Sequence, residues 1–319
     1  MGNSGRKVRQ RHNQIVNALK SEARSRGADI SDVYNQFFRE VFLNELMQEG
    51  EGWVLKGGTN VYCRIPGARQ TKDLDIYRHC DPTSALSAAE LLVEVMGGHK
   101  VGPYTFELEG TFRKTMAGPV ENERVTVTVL HGASNKFTQF NIDVSGDLNV
   151  SGLVEEVSVS ASFSVVTDFL PQTFSVTSYP VENQLADKVA ATFDRYGETP
   201  PGKASTRYHD FFDVALMATN LSVEADALRL ALEQQSELRK MTLPKTMKEP
   251  EPGWGHTYEE KATSLGWGKG QLGQSNEKLC VFEEALAVSE RLLNPVLAQD
   301  PSLHGAIWDP VASSWKFEN

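Results

Sequence analysis

The sequence is poor in cysteine, with only Cys63, Cys80 and Cys280. An odd number without a Cys-x-x-Cys pair argues against a disulfide framework and a cysteine zinc site, and fits a reducing cytoplasm. Long apolar runs are also missing. No stretch of about 18 apolar residues appears, so no transmembrane helix and no membrane partner is expected. The opening "MGNSGRKVRQRHNQIVNALK" carries basic residues without an apolar core, which excludes a secretory signal. Its Met-Gly start alone is weak evidence for myristoylation. An excess of positive charge is the third absence. The formal net charge is -10, whereas a chain that wraps a long nucleic acid is usually basic. Any nucleic-acid partner must then be held by a local basic patch. What is present is ordinary globular composition, 40% hydrophobic and 23% charged over 319 residues. That length buries a sizeable core as two domains, or as one with an extension.

Periodicity places helices over residues 6–26 and 31–49, the second with Ser31 and Asp32 as N-cap candidates. A short strand enters at Trp53 to Lys56, and Gly57-Gly58 makes a turn. Thr59 then caps a short helix through Ile65. A second strand carries "KDLDIYRH", a helix covers 83–97, and strand-like alternation returns in "YTFELEG", "ERVTVTVLHG" and "TQFNIDVSGD". From about Tyr179 the pattern is helical: "YPVENQLADKVAATFDRYG", then "STRYHDFFDVALMATNLS" capped by Ser205 or Thr206, then 222–240 and 277–295. Residues 242–276, rich in Gly, Pro, Trp and Lys, read as a long loop or insertion. The expected class is α+β, a mixed sheet with flanking helices over 1–175 followed by a helical domain over 176–319.

Asp73 and Asp75, two residues apart on a strand, share a face, and Leu74 and Ile76 take the other. Two adjacent carboxylates suit a hard divalent cation, which takes oxygen ligands. Upstream, Gly57 and Gly58 end a strand and open a helix, where exposed backbone amides favour phosphate. Asp143 lies on a later strand, with Phe140 and Ile142 facing one side and Asn141 and Asp143 the other. It is a candidate third ligand, or acceptor of the proton from an attacking hydroxyl. Asp147 competes for that place but falls in the turn beyond. In the helical half, Lys188 is read either as a surface lysine or as a lysine that reaches a nucleotide phosphate. Arg207, Asp210 and Asp213, at i, i+3 and i+6, form a local salt bridge or position Lys188 or a substrate.

In this order, "VLKGGTNVYCR…RQTKDLDIY", "FNID" and "NQLADKVAATFDRYG…TRYHDFFDVALM" resemble the AbiEii/AbiGii-type nucleotidyltransferase toxins, which include the mycobacterial MenT enzymes. The resemblance runs over residues 40 to 220. It implies a polymerase-β-like nucleotidyltransferase fold with a helical C-terminal domain. It also implies transfer of a nucleoside monophosphate from an NTP, with the 3′ end of tRNA as the acceptor in MenT-like members. On it, the expected metal ligands are Asp73, Asp75 and Asp143, for Mg2+ or for Mn2+ in its place. The expected nucleotide-binding residues are Lys56, Gly57, Gly58, Thr59, Lys188 and Arg207. Asp73, Asp75, Asp143, Lys188 and Asp210 are the expected catalytic set. A cognate antitoxin is the implied protein partner, phage defence the implied setting and the cytoplasm the implied location.

The sequence departs from the family in "NVYCRIPG", where Asn60 and Arg64 are candidates for base or acceptor choice. It departs also at His209, which replaces a lysine before the acid and removes a fixed charge at neutral pH. Arg64, Arg69, Lys72, Arg78, Arg113 and Lys114 are the expected basic patch for an RNA end. Two alternatives stay open: a nucleotidyltransferase with a small-molecule or protein acceptor, which the acidic net charge favours, and a nucleotide-binding module without turnover.

Overall fold

A computed structural model of the chain describes residues 2–65, 67–110, 121–132, 134–148, 150, 152–197, 202–269 and 275–317, with side chains from residue 10 onward. Arg113 and Lys114 lie outside the described residues. Among the described residues, no helix is long and apolar enough to cross a membrane. The chain divides into two compact units. The first comprises Met1–Thr59, Thr71–Leu148 and Glu155–Ser178; the second comprises Asn60–Gln70, Asn149–Val154 and Tyr179–Asn319.

The first unit holds helices α1 (Gly2–Arg26) and α2 (Ile30–Glu49), strand β1 (Trp53–Lys56) and the opening turn of helix α3 (Gly57–Arg64). Strand β2 (Leu74–Arg78), helix α4 (Ala85–Met96) and strands β3 (His99–Val101), β4 (Tyr104–Gly110), β5 (Asn122–His131), β6 (Asn135–Ser145), β7 (Glu155–Ser160) and β8 (Thr173–Ser178) complete it. The eight strands form one sheet in the order β3-β4-β5-β6-β2-β1-β8-β7. It is mixed: β2 runs parallel to β6 and β1 parallel to β8, while β1 and β2 are antiparallel. The fold class is therefore α+β, a mixed sheet with helices. Leu74, Ile76, Ile142, Val125 and Val127 are fully buried on one sheet face. There Phe42 of α2 packs edge-on against Phe106 and Phe140. The opposite face of the same strands carries Asp75, Asp143 and Arg124, so one-in, one-out alternation delivers the charges to a single side.

Three sequence expectations shift here. Helix α2 is capped by Asp29, whose side chain accepts from the Ser31 amide, rather than by Ser31 or Asp32. Helix α3 begins at Gly57 itself, with no turn ahead of it. Strands β7 and β8 are new: short Ser/Thr-rich runs whose alternation is weak, but whose Val159, Phe174 and Val176 are buried.

The second unit is built on helices α5 (Val181–Phe193), α6 (Tyr208–Asn220), α7 (Ala225–Leu238), α8 (Trp254–Ser264) and α9 (Phe282–Leu297). Leu185, Val189, Phe211, Phe212, Leu228 and Leu292 anchor its core, joined by Val61 and Ile65 of the last turns of α3. The reading of 242–276 as loop is corrected. Trp254, Tyr258 and Trp267 are buried among Phe211 and Phe282, and Trp254 Nε1 donates to the Ser205 carbonyl at 2.6 Å. The Gly and Pro content hides an 11-residue helix of about three turns whose aromatics fill the core. A small three-stranded sheet, Val223–Glu224, Ala306–Asp309 and Ser314–Phe317, closes this unit. The cap expected for α6 also moves: Arg207 is the N-cap, and Ser205 Oγ accepts from its amide at 3.1 Å.

Candidate active site

Asp73 immediately precedes β2 and Asp75 lies within it. The parallel register sets Asp75 beside Asp143, and the antiparallel register sets it beside Lys56. Strands remote in sequence thus bring two of the three candidate metal ligands into adjacent rows. All three aspartates are part-exposed. Gly57 sits in the left-handed region at φ +69, and a Cβ added there would meet Asp75 Oδ2 at 2.1 Å. The glycine is required on two grounds: its backbone conformation, and the carboxylate that takes the room of a side chain. Thr59 is buried, and its hydroxyl donates to the Asp73 carbonyl at 3.0 Å. Its contact with Thr71 Oγ1 at 2.7 Å is then one in which Thr71 donates. Thr59 is thereby a strut that fixes the chain entering β2 against α3, in place of the cap expected for it.

Sequence reasoning missed Arg124. From β5 it grips Asp143 with both prongs, Nε to Oδ1 and Nη2 to Oδ2, each at 2.8 Å. The hydrogen bonding to Asp143 and the charges of Asp143, Asp73 and Asp75 hold the guanidinium well above its ordinary pKa against the opposing effect of burial. One cation therefore answers to three carboxylates. The signal for Arg124 lay in "ERVTVTVLHG", where alternation puts it on the polar face, but its partner strand is not readable from that alternation. Among the described residues, no group of three Asp, Glu, His or Cys side chains could hold a metal ion as they stand. With both its oxygens on Arg124, Asp143 is not set as a ready ligand. The donor chemistry nonetheless fits a hard cation: carboxylate oxygens only, around a positive group already seated among them.

The second unit holds a different charge cluster. Lys188 on α5 is 4% exposed, and its Nζ donates to Asp210 Oδ1 at 2.8 Å and Asp213 Oδ2 at 2.7 Å. Arg69 completes the set with two bonds to Asp213, at 2.8 and 2.6 Å. Burial would push the Asp210 carboxyl up, but the charges of Lys188, His209 and Arg207 outweigh it and leave it at about 2. Burial likewise opposes the charged forms of Asp213 and Lys188. Arg69 and Lys188 keep the first ionised, and Asp210 and Asp213 keep the second protonated. Burial brings His209 down to about 4 despite the pull of Asp210, so its ring is neutral at pH 7. The reading of Lys188 as a surface lysine is corrected accordingly. Its amine is enclosed and shared by two carboxylates, and the more exposed cation of this cluster is Arg207, 3.7 Å from Asp210.

Three residues of the expected RNA patch are engaged within their own units. Arg64 donates to the Tyr179 carbonyl at 3.1 Å, and Arg69 is committed to Asp213. Arg78 donates to the carbonyls of Glu51 and Asp81 and stacks over Trp53. Lys72 is exposed. Asn60, expected to bear on base choice, is fully buried and donates to the Tyr179 carbonyl and Gln184.

Three comparisons bear on identity. Residues 41–267 match the family model of the nucleotidyl transferase AbiEii toxin of type IV toxin–antitoxin systems. Among solved structures, the fold is similar to MenT4, a nucleotidyltransferase toxin from Mycobacterium tuberculosis H37Rv. The TM-score is 0.51 at 12% identity, covering 86% of this chain and 89% of that one. JHP933 from Helicobacter pylori is similar at a TM-score of 0.43 and 16% identity, covering 86% of this chain and 96% of that one. A search of curated proteins finds no match.

Proposed function

The chain belongs to the AbiEii nucleotidyltransferase toxins, and from that premise we propose that it moves a nucleoside monophosphate from an NTP to the 3′ end of tRNA and so arrests growth. Membership carries the nucleotidyltransferase activity, an NTP substrate and a cognate antitoxin; the tRNA acceptor, the metal and a cytoplasmic site of action are the proposal. The observation that carries it is the register that sets Asp143 beside Asp75, with Gly57 packed against the Asp75 carboxylate.

Asp73, Asp75 and Asp143 would hold the divalent cation, Mg2+ or Mn2+. Once bound, it supplies charge neutralisation at the triphosphate and acidifies the attacking hydroxyl. The amides of Gly57 and Gly58 at the start of α3 would seat a phosphate, since the N-terminus of a helix favours an anion. Lys56, opposite Asp75, adds a positive charge beside that seat. The acceptor hydroxyl attacks the α-phosphorus and pyrophosphate leaves in line. In the second unit, Lys188 and Asp210 hold one another in the buried network, and Arg207 is its more exposed cation. Incubating the protein with each labelled NTP, total tRNA and Mg2+, with EDTA as control, tests the reading. Label at the tRNA 3′ end supports it. Label confined to protein or small molecules replaces it with the other-acceptor reading, which the net charge of -10 favours.

A further inference from the structure

We infer that Arg124 is a latch on Asp143 which a divalent cation has to open, so that this one guanidinium sets the cation concentration at which the acid cluster fills. The inference rests on the reading of Asp73, Asp75 and Asp143 as a cation seat. Asp143 has two oxygens, and Arg124 takes both in a two-pronged pair at 2.8 Å. Such forks are among the strongest ion pairs in proteins, and the guanidinium cannot be discharged by pH. With no competing anion on Arg124, release of Asp143 while the fold stays closed falls to a rival cation. The backbone keeps the rivals in place: Arg124 faces Asp143 across the β5–β6 ladder, and Asp143 faces Asp75 across the β6–β2 ladder. Neither carboxylate nor guanidinium needs to be brought from elsewhere. Arg124 is also partly open to solvent, with 36% of its side chain exposed, so it has somewhere to go once released. Arg124 is thus a positioning residue: it holds Asp143 in the empty site and yields it on loading.

The test is Mn2+ binding by the EDTA-stripped full chain, followed by calorimetry or by the electron spin resonance of the free ion. Arg124→Lys keeps the charge but loses the fork, and Arg124→Gln loses both. The expected result is Mn2+ binding about tenfold tighter in R124K than in the wild type, the size expected for loss of a charge-assisted hydrogen bond. R124Q tightens at least as much. Adding Asp143→Asn should erase the R124K gain, because no latch is left to open. R124K binding Mn2+ as the wild type does would overturn the latch, and so would a gain that persists beside D143N, since that would be a general field effect. Absence of Mn2+ binding in every variant, with folding intact by circular dichroism, would instead remove the cation seat itself and the latch with it.

Discussion

The two units carry charge in opposite ways. In the first, three part-exposed aspartates stand near Arg124 and Lys56 and in contact with water. In the second, Lys188 and Arg69 meet Asp210 and Asp213 one for one, and both acids and the lysine are 5% exposed or less. A buried charge that is left unpaired destabilises the fold, whereas a part-exposed charge is hydrated by water and stays open to a ligand. On the proposed function, the buried and paired cluster holds structure and the part-exposed acids receive the cation. Acidic residues of the same type, Asp75 and Asp213, fall on opposite sides of that line.

The sharpest way to break the contrast is Asp75→Ala. Nucleotide transfer should fall by about a thousandfold or more, in line with losses at metal-assisted centres, with the melting temperature little changed. Transfer that survives in a labelled-NTP assay would move Asp75 to the structural side. The reverse experiment is Lys188→Met. It takes from buried Asp210 its close cation and leaves Asp213 with Arg69 alone, and stability should drop by about 3 kcal/mol, read as a lower denaturant midpoint. An unshifted midpoint would show that the second cluster is not structural.

Acid sharpens the comparison further. The Asp210 carboxyl stands at about 2 against an ordinary 3.8. Its ionised form is the one the fold prefers, so its contribution is complete above 3.8 and is lost as pH falls through about 2. The loss amounts to about 2 kcal/mol and should be absent in Asp210→Asn when melting is compared across that window. The smallest effect belongs to His209, held at about 4 against 6.5, because its side chain is 37% exposed and solvent screening discounts the larger shift. Its unfolded ring takes up a proton first, so stability declines as pH drops from about 6.5 to 4. Replacing His209 with Gln should flatten that part of the melting-temperature profile, and an unchanged slope would place the decline on another group.

Much of this was legible beforehand, and the misses share a cause. Asp73, Asp75 and the strand "LDIYR" follow from two-residue alternation, a local signal. Helix α5 followed from its 3.6-residue stripe. Helix α8 did not, because Gly253, Gly255 and Gly266 suppress helix propensity while Trp254 and Tyr258 supply the packing that overrides it. Lys188 was legible as important but not as enclosed, since its partners Asp210 and Asp213 come from another helix and Arg69 from the loop after α3. Arg124 was missed for the same reason: its meaning lies in a strand pairing, and pairings across long sequence intervals leave no local periodicity.

The parallel pairing of β2 with β6 has a consequence for the order of events in a growing chain. Asp75 and Asp143 are separated by α4 and the whole β3–β5 meander, and closing so long a loop is slow and entropically costly. While the chain is still being synthesised, Asp73 and Asp75 emerge well before their third acid, and before the guanidinium that restrains it. A nascent or truncated chain ending short of β6 carries the family's most recognisable motif and none of its assembled acid cluster. On the reading of Asp75 and Asp143 as one cation seat, that seat exists only once β6 has paired with β2.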